Sequence, residues 1–127
     1  MVISNTTVSR PSTLKSEKKK ERGGLSGKPV KEKSTETIRE MSDCAVCVKR
    51  RYKLTGGRVP IIGVGGIASG EDAYEKIKAG ASVVEVYSAL VYHGMGLVPK
   101  IKKELCELLE RDGYKNVSEA VGKDVEL

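Results

Sequence analysis

The apolar residues of this chain fall into two unlike halves, and the second is the more regular. Val59-Pro60-Ile61-Ile62-Gly63-Val64 is a short apolar run that predicts a buried strand, closed by a Gly65-Gly66 turn. Ser69 has the character of an N-cap, with Asp72 three residues on as the partner of a capping-box-like pair. Ala73 and Ile77 give the helix that follows its apolar face, and Gly80 stops it. Ser82-Val83-Val84-Glu85-Val86-Tyr87 is rich in β-branched residues and predicts the next strand. A long helix is predicted from about Val98, where Pro99 fits the first turn. Its stripe is Ile101, Leu105, Leu108 and Leu109, and Gly113 ends it. Ser118 is the expected cap of a last short turn through Val121. Strand, helix, strand, helix predicts an α/β fold on a parallel sheet.

The first half carries less pattern. Met1-Val2-Ile3 reads as the end of a strand, because the apolar pair runs into Ser4-Asn5-Thr6-Thr7. Residues 10–33 read as a long loop punctuated by Pro11, Gly23, Gly24, Gly27 and Pro29. Ser34 is the expected N-cap of a helix through Thr37, Ile38 and Met41. Ser42 to Arg51 fits neither period.

Composition narrows the class. A chain of 127 residues holds one small domain at most. Charged residues make up 31%, and no apolar run approaches the roughly 18 residues that a membrane-spanning helix needs. The opening residues lack the basic and apolar regions of a secretory leader. Three cysteines make no closed disulfide framework, so reduced thiols are expected. The net charge of +6 conceals a split: residues 1–60 carry 15 Lys/Arg against 6 Asp/Glu, residues 61–127 carry 8 against 11. Lys18-Lys19-Lys20 and Lys49-Arg50-Arg51 are the basic runs, but only Tyr52 stands beside either. With so few stacking residues, a solvated surface is expected rather than a nucleic-acid site.

Three features bear on chemistry. Gly63-Val64-Gly65-Gly66-Ile67-Ala68 leaves a strand and leads to a helix, a layout that lets backbone amides approach a phosphate. The same residues also fit a plain βα turn or a dinucleotide fingerprint with Glu85 as the ribose ligand. The fingerprint is the poorest fit, because Ser69 caps the helix beyond the glycines and Glu85 lies inside its predicted strand. Gly23-Gly24-Leu25-Ser26-Gly27-Lys28-Pro29 is a second glycine loop without Walker spacing. Cys44 and Cys47 have metal-ligand spacing, yet one pair gives two of the four ligands of a structural zinc. No metal site is expected, and the lone His93 is expected in a loop at the surface.

Taken together, Asn5-Thr6-Thr7-Val8-Ser9-Arg10-Pro11, the Gly23–Pro29 loop, Ser34-Thr35-Glu36-Thr37-Ile38-Arg39-Glu40-Met41 and Arg58-Val59-Pro60-Ile61-Ile62-Gly63-Val64-Gly65-Gly66-Ile67 closely resemble the carboxy-terminal part of class 2 dihydroorotate dehydrogenases. The resemblance continues through Ala79-Gly80-Ala81-Ser82 and Tyr87-Ser88-Ala89-Leu90. It implies the last part of a (β/α)8 TIM barrel, about three strands with their helices, since such barrels run to about 250 residues. Residues 1–127 then form part of one catalytic domain, with an atypical insertion at 42–51. The implied reaction is flavin-dependent oxidation of (S)-dihydroorotate to orotate, with ubiquinone as acceptor, in pyrimidine synthesis. The implied cofactor is FMN, and the implied location is the mitochondrial inner membrane.

Residue by residue, the resemblance makes Gly66, Tyr87 and Ser88 holders of the FMN phosphate and Gly27 a flavin contact. Ser4 stands where the family usually has threonine beside the flavin. Asn5 and Thr6 match residues that hydrogen-bond the pyrimidine ring and carboxylate. The catalytic base, the presequence, the membrane anchor and the quinone tunnel are expected upstream of Met1, so the chain alone is expected to be inactive. An aspartate at Gly66 is expected to expel the phosphate while leaving much of the fold. The alternative is a non-catalytic fragment or phosphate-binding remnant.

Overall fold

A computed structural model of the chain describes residues 1–43 and 59–125. Its centre is a three-stranded parallel sheet in the order β1 (Val2–Ile3), β2 (Ile62–Val64), β3 (Val83–Glu85). Val2 pairs with Ile62, which pairs in turn with Val83, so the three carboxyl ends leave the sheet together. The helices are α1 (Lys31–Asp43), α2 (Gly70–Lys78), α3 (Ser88–His93), α4 (Leu97–Arg111) and α5 (Val117–Ala120).

Most boundaries follow from local chemistry. Ser69 caps α2 by accepting the Asp72 amide at 3.2 Å, and the Asp72 carboxylate accepts the Ala68 amide at 2.9 Å. This is a capping box displaced by one residue. Ser69→Ala is expected to cost about 1 kcal/mol in urea unfolding. The α4 stripe also holds, with Ile101 and Leu109 buried and Leu105 and Leu108 partly covered.

Several expectations need correction. Ser34 caps nothing: α1 already starts at Lys31, because the 3-10 turn Lys28–Val30, with Pro29 near its start, leads straight into it. Ser34 is instead buried, and its hydroxyl donates to the Val64 carbonyl. The last short helix is capped by Asn116, not Ser118, through a 3.3 Å bond from the Glu119 amide. His93 is exposed, but it closes the short helix α3 rather than lying in a loop. β2 and β3 are both shorter than predicted, and Glu85 is the last residue of β3 rather than an interior one. The proposed insertion at 42–51 runs past the end of α1. Its residues 44–51, with Cys44, Cys47 and the second basic run, lie outside the described residues.

The core forms three connected clusters. Ile3, Ile38, Ile61, Ala79 and Ala81 join the sheet to α1. Ile67, Ala73, Leu97 and Ile101 join α2 to α4. Tyr74, Ile77, Leu109 and Ala120 fill the far end, where the Tyr74 hydroxyl donates to Asp112 at 2.7 Å. Burial and that bond to a carboxylate both push the Tyr74 phenol well above its ordinary range.

Candidate functional site

The carboxyl ends of three parallel strands open onto one cavity of about 330 Å³. Ser4, Asn5 and Thr6 follow β1, Gly65 and Gly66 follow β2, and Tyr87 and Ser88 follow β3. Gly27, at the start of the 3-10 turn before α1, closes a fourth side. All seven site residues that the resemblance implies, Ser4, Asn5, Thr6, Gly27, Gly66, Tyr87 and Ser88, therefore line a single cavity. Parallel sheets characteristically place ligand sites at this edge, because the loops after each strand converge there.

Local bonds fix the walls. The Ser4 amide donates to the Val64 carbonyl at 3.2 Å, carrying the β1–β2 pairing one step past the end of β1. The Asn5 side chain accepts the amide of its neighbour Thr6 at 2.8 Å, and both residues line the cavity. Thr7 and Leu25 exchange backbone bonds of 3.0 and 2.7 Å, which tie the loop after β1 to the glycine loop. Arg10 braces that loop, its guanidinium donating to the carbonyls of Lys19, Glu21 and Gly23 at 3.0, 3.2 and 2.7 Å. Ser88 and Ser26 hydroxyls lie 3.2 Å apart across the cavity.

The glycines of the turn have a specific purpose. Gly65 and Gly66 have φ of +113° and +73°, so both take conformations that side chains strain to adopt. A Cβ on Gly66 would lie 2.6 Å from the Lys31 Cα and 2.7 Å from its nitrogen. The expected reason for glycine here therefore needs correction. A side chain would run into the backbone of α1, so the fold itself requires Gly66.

A salt-bridge network stands behind this turn. Lys31 reaches Asp72 at 2.6 Å and Glu75 at 3.1 Å, linking α1 to α2. The hydrogen bond to Asp72 holds the Lys31 ammonium above its ordinary range. Burial on its own would raise the Asp72 carboxyl. The hydrogen bonds from Lys31 and the Ala68 amide outweigh that effect and hold it below its ordinary range.

The cavity is chemically two-sided. Val64, Ile67, Val86 and Ala89 give it an apolar wall, whereas Ser4, Asn5, Thr6, Ser26 and Ser88 give amide and hydroxyl groups. Lys28, Glu85, Tyr92 and His93 also line it; the sequence pointed to Glu85 only as a ribose ligand and to His93 only as a surface residue, and to Tyr92 not at all. Lys28 belongs to the Gly23–Pro29 loop, and that membership was its signal in the sequence. Tyr92 and His93 came from an unrecognised helix. Among the described residues, no group of three His, Cys, Asp or Glu side chains is placed to hold a metal.

A parallel sheet with one cavity at its carboxyl edge defines an α/β protein with a loop-built ligand site. The dihydroorotate dehydrogenase family model matches residues 1–109, and the chain belongs to that family. It is 53% identical over 125 residues to the dihydroorotate dehydrogenase (quinone) of Xanthobacter autotrophicus, covering 98% of this chain and 32% of that protein. The mitochondrial dihydroorotate dehydrogenase (quinone) of Oryza sativa is 52% identical, over 98% of this chain and 24% of its own length. The crystal structure of ligand-free DHODH from Eimeria tenella superposes with a TM-score of 0.83 at 44% identity, over 99% of this chain and 32% of that one. The chain thus spans a third or less of the length of these relatives. Some relatives are mitochondrial and others bacterial, and no helix among the described residues is long and apolar enough to cross a membrane.

Proposed function

We propose that this chain forms the carboxy-terminal part of a dihydroorotate dehydrogenase barrel, and that its cavity takes the FMN phosphate and the pyrimidine substrate. The observation that carries this reading is the convergence of all seven candidate residues on one cavity at the carboxyl edge of the sheet. The cavity's chemistry suits the cofactor, with an apolar wall for a flat ring and backbone and hydroxyl donors for an anion. The sheet supports a partial barrel as well: among the described residues, β1 and β3 each pair on one side only.

In this reading Gly66, Tyr87 and Ser88 hold the phosphate through backbone amides, and Gly27 and Ser4 border the flavin. When bound, FMN supplies the acceptor for the substrate hydride and passes electrons on to ubiquinone. Asn5 and Thr6 orient the ring and carboxylate of dihydroorotate, so their work is positioning and exclusion of water. Proton removal is assigned to a residue outside this chain. Location at the mitochondrial inner membrane is part of the same proposal, by analogy with the mitochondrial relatives.

The test is a chimera in which residues 1–127 replace the matching segment of the Xanthobacter relative. It should purify with flavin and reduce quinone only when dihydroorotate is present. Asn5→Ala within it should lower kcat/KM for dihydroorotate by ~100-fold with flavin content unchanged. A folded chimera without flavin would contradict the assignment.

A further inference from the structure

Lys76 is the one charged side chain among the described residues that is fully buried, at 0% exposure. Its ammonium lies between α2 and the first turn of α1, donating to the Lys31 carbonyl at 3.3 Å, Ser34 Oγ at 3.1 Å and Thr35 Oγ1 at 2.9 Å. Two of these acceptors are themselves committed. Ser34 donates to the carbonyl of Val64, the residue just before the glycine turn, and Thr35 donates to the Lys31 carbonyl at 3.0 Å. Lys31 is also the residue whose backbone abuts Gly66. A continuous set of bonds thus runs from Lys76 through α1 to the turn at Gly65-Gly66.

We propose that Lys76 is a positioning residue, whose ammonium clamps the first turn of α1 onto the end of β2 and thereby sets the glycine turn of the ligand cavity. The consequence for FMN rests on the functional reading above, whereas the clamp itself does not. An apolar side chain of similar length would fill the space without the penalty of a buried charge, and such replacements are often neutral or stabilising. The charge is therefore better explained by geometry than by stability. Three acceptors require three donors, which an ammonium has. A neutral amine has two donors and a lone pair. The third contact then needs a hydroxyl to turn inward, so Ser34 must release Val64 or Thr35 must release Lys31.

Protonation makes the clamp adjustable. Burial brings the Lys76 ammonium down to about 8. The charged groups facing it are Asp72 and Glu75 on its own helix, which favour the ammonium, and Lys31 on α1, which opposes it. β2 contributes no titratable group to that surface. The unfolded chain keeps its proton up to the ordinary lysine range, so between those limits it binds more protons than the folded one. Global stability should therefore rise with pH in that window. The order of the glycine turn should fall over the same window, and a purely structural lysine would not separate the two.

The experiment uses the 127-residue chain, unaltered and as Lys76→Met, with thermal unfolding and amide hydrogen exchange across residues 64–68. Lys76→Met should melt no lower than the unaltered chain, while protection of the turn falls about tenfold. Raising the unaltered chain from about pH 7 to about pH 9.5 should reproduce that loss, after correction for intrinsic exchange, as its melting temperature rises. Unchanged protection, or a loss that only tracks global stability, would overturn the proposal. If Lys76→Met does not fold, the pH series decides alone. FMN is then added to both chains. Loss of FMN binding by Lys76→Met alone supports the effect on the ligand, and equal binding overturns that effect. Failure of the unaltered chain to bind FMN counts against the functional reading, and the clamp is then judged by exchange.

Discussion

Gly66→Asp should unfold much of the protein's local order as well as expel an anion from the cavity, at a cost of ~3 kcal/mol or more. The added Cβ would meet the Lys31 backbone at 2.6 Å, and backbone cannot swing aside as a side chain can. The positive φ of +73° adds strain for any residue with a side chain. Because Lys31 also anchors the Asp72 and Glu75 bridges, displacing it weakens the α1–α2 contact. Gly66→Ala separates the contributions. It carries the clash and the strain but no charge, so it should lose most of the stability that the aspartate loses. Urea unfolding of both variants checks this. If alanine is tolerated and aspartate alone loses FMN, the electrostatic explanation is restored.

Gly70→Ala should destabilise the fold by ~2 kcal/mol, the reverse of what helix propensity alone suggests. Alanine in a helix is favoured over glycine by about 1 kcal/mol. Here that gain is outweighed by close packing. A Cβ on Gly70 would lie 2.3 Å from Glu104 Cβ and 2.8 Å from the Leu105 nitrogen on α4. The Gly70 amide also donates to the Glu104 carboxylate at 2.6 Å, so forcing the helices apart strains that bond too. The effect should reach the cavity, since α2 starts two residues past Ala68, which lines it with Ile67. A melting temperature at or above that of the unaltered chain would show that α4 yields freely.

The second half of the chain was legible because its elements bury one face each. The period of 3.6 survives where one helix side meets the core, as at Ile77 and along Ile101–Leu109, and the strands show as short apolar and β-branched runs. Helix α3 escaped notice for the opposite reason: its Val91 and Tyr92 are exposed, so Ser88–His93 shows no buried stripe. Ser34 has the residue type of a cap, and only the preceding 3-10 turn reveals that the helix has already begun. Lys76 was invisible in sequence. Glu75-Lys76-Ile77-Lys78 reads as a solvated face, and the burial of Lys76 comes from α1, more than thirty positions earlier in the chain. At the site, local pattern pointed to the Gly65-Gly66 turn alone. The other candidates are scattered from Ser4 to Ser88, and only the resemblance to dihydroorotate dehydrogenases grouped them before the sheet brought them together.

The central claim is that the cavity at the carboxyl edge receives a flavin phosphate. Its most direct test is an NMR titration of the isotope-labelled chain with FMN and, separately, with riboflavin, which has the same ring system without the phosphate. Saturable shifts should appear with FMN at the amides of Gly66 and Ser88, with smaller changes at Gly27, and the Gly66 and Ser88 shifts should be absent with riboflavin. Equal shifts with both ligands, or shifts confined to the basic stretch Lys18–Lys20, would contradict the assignment.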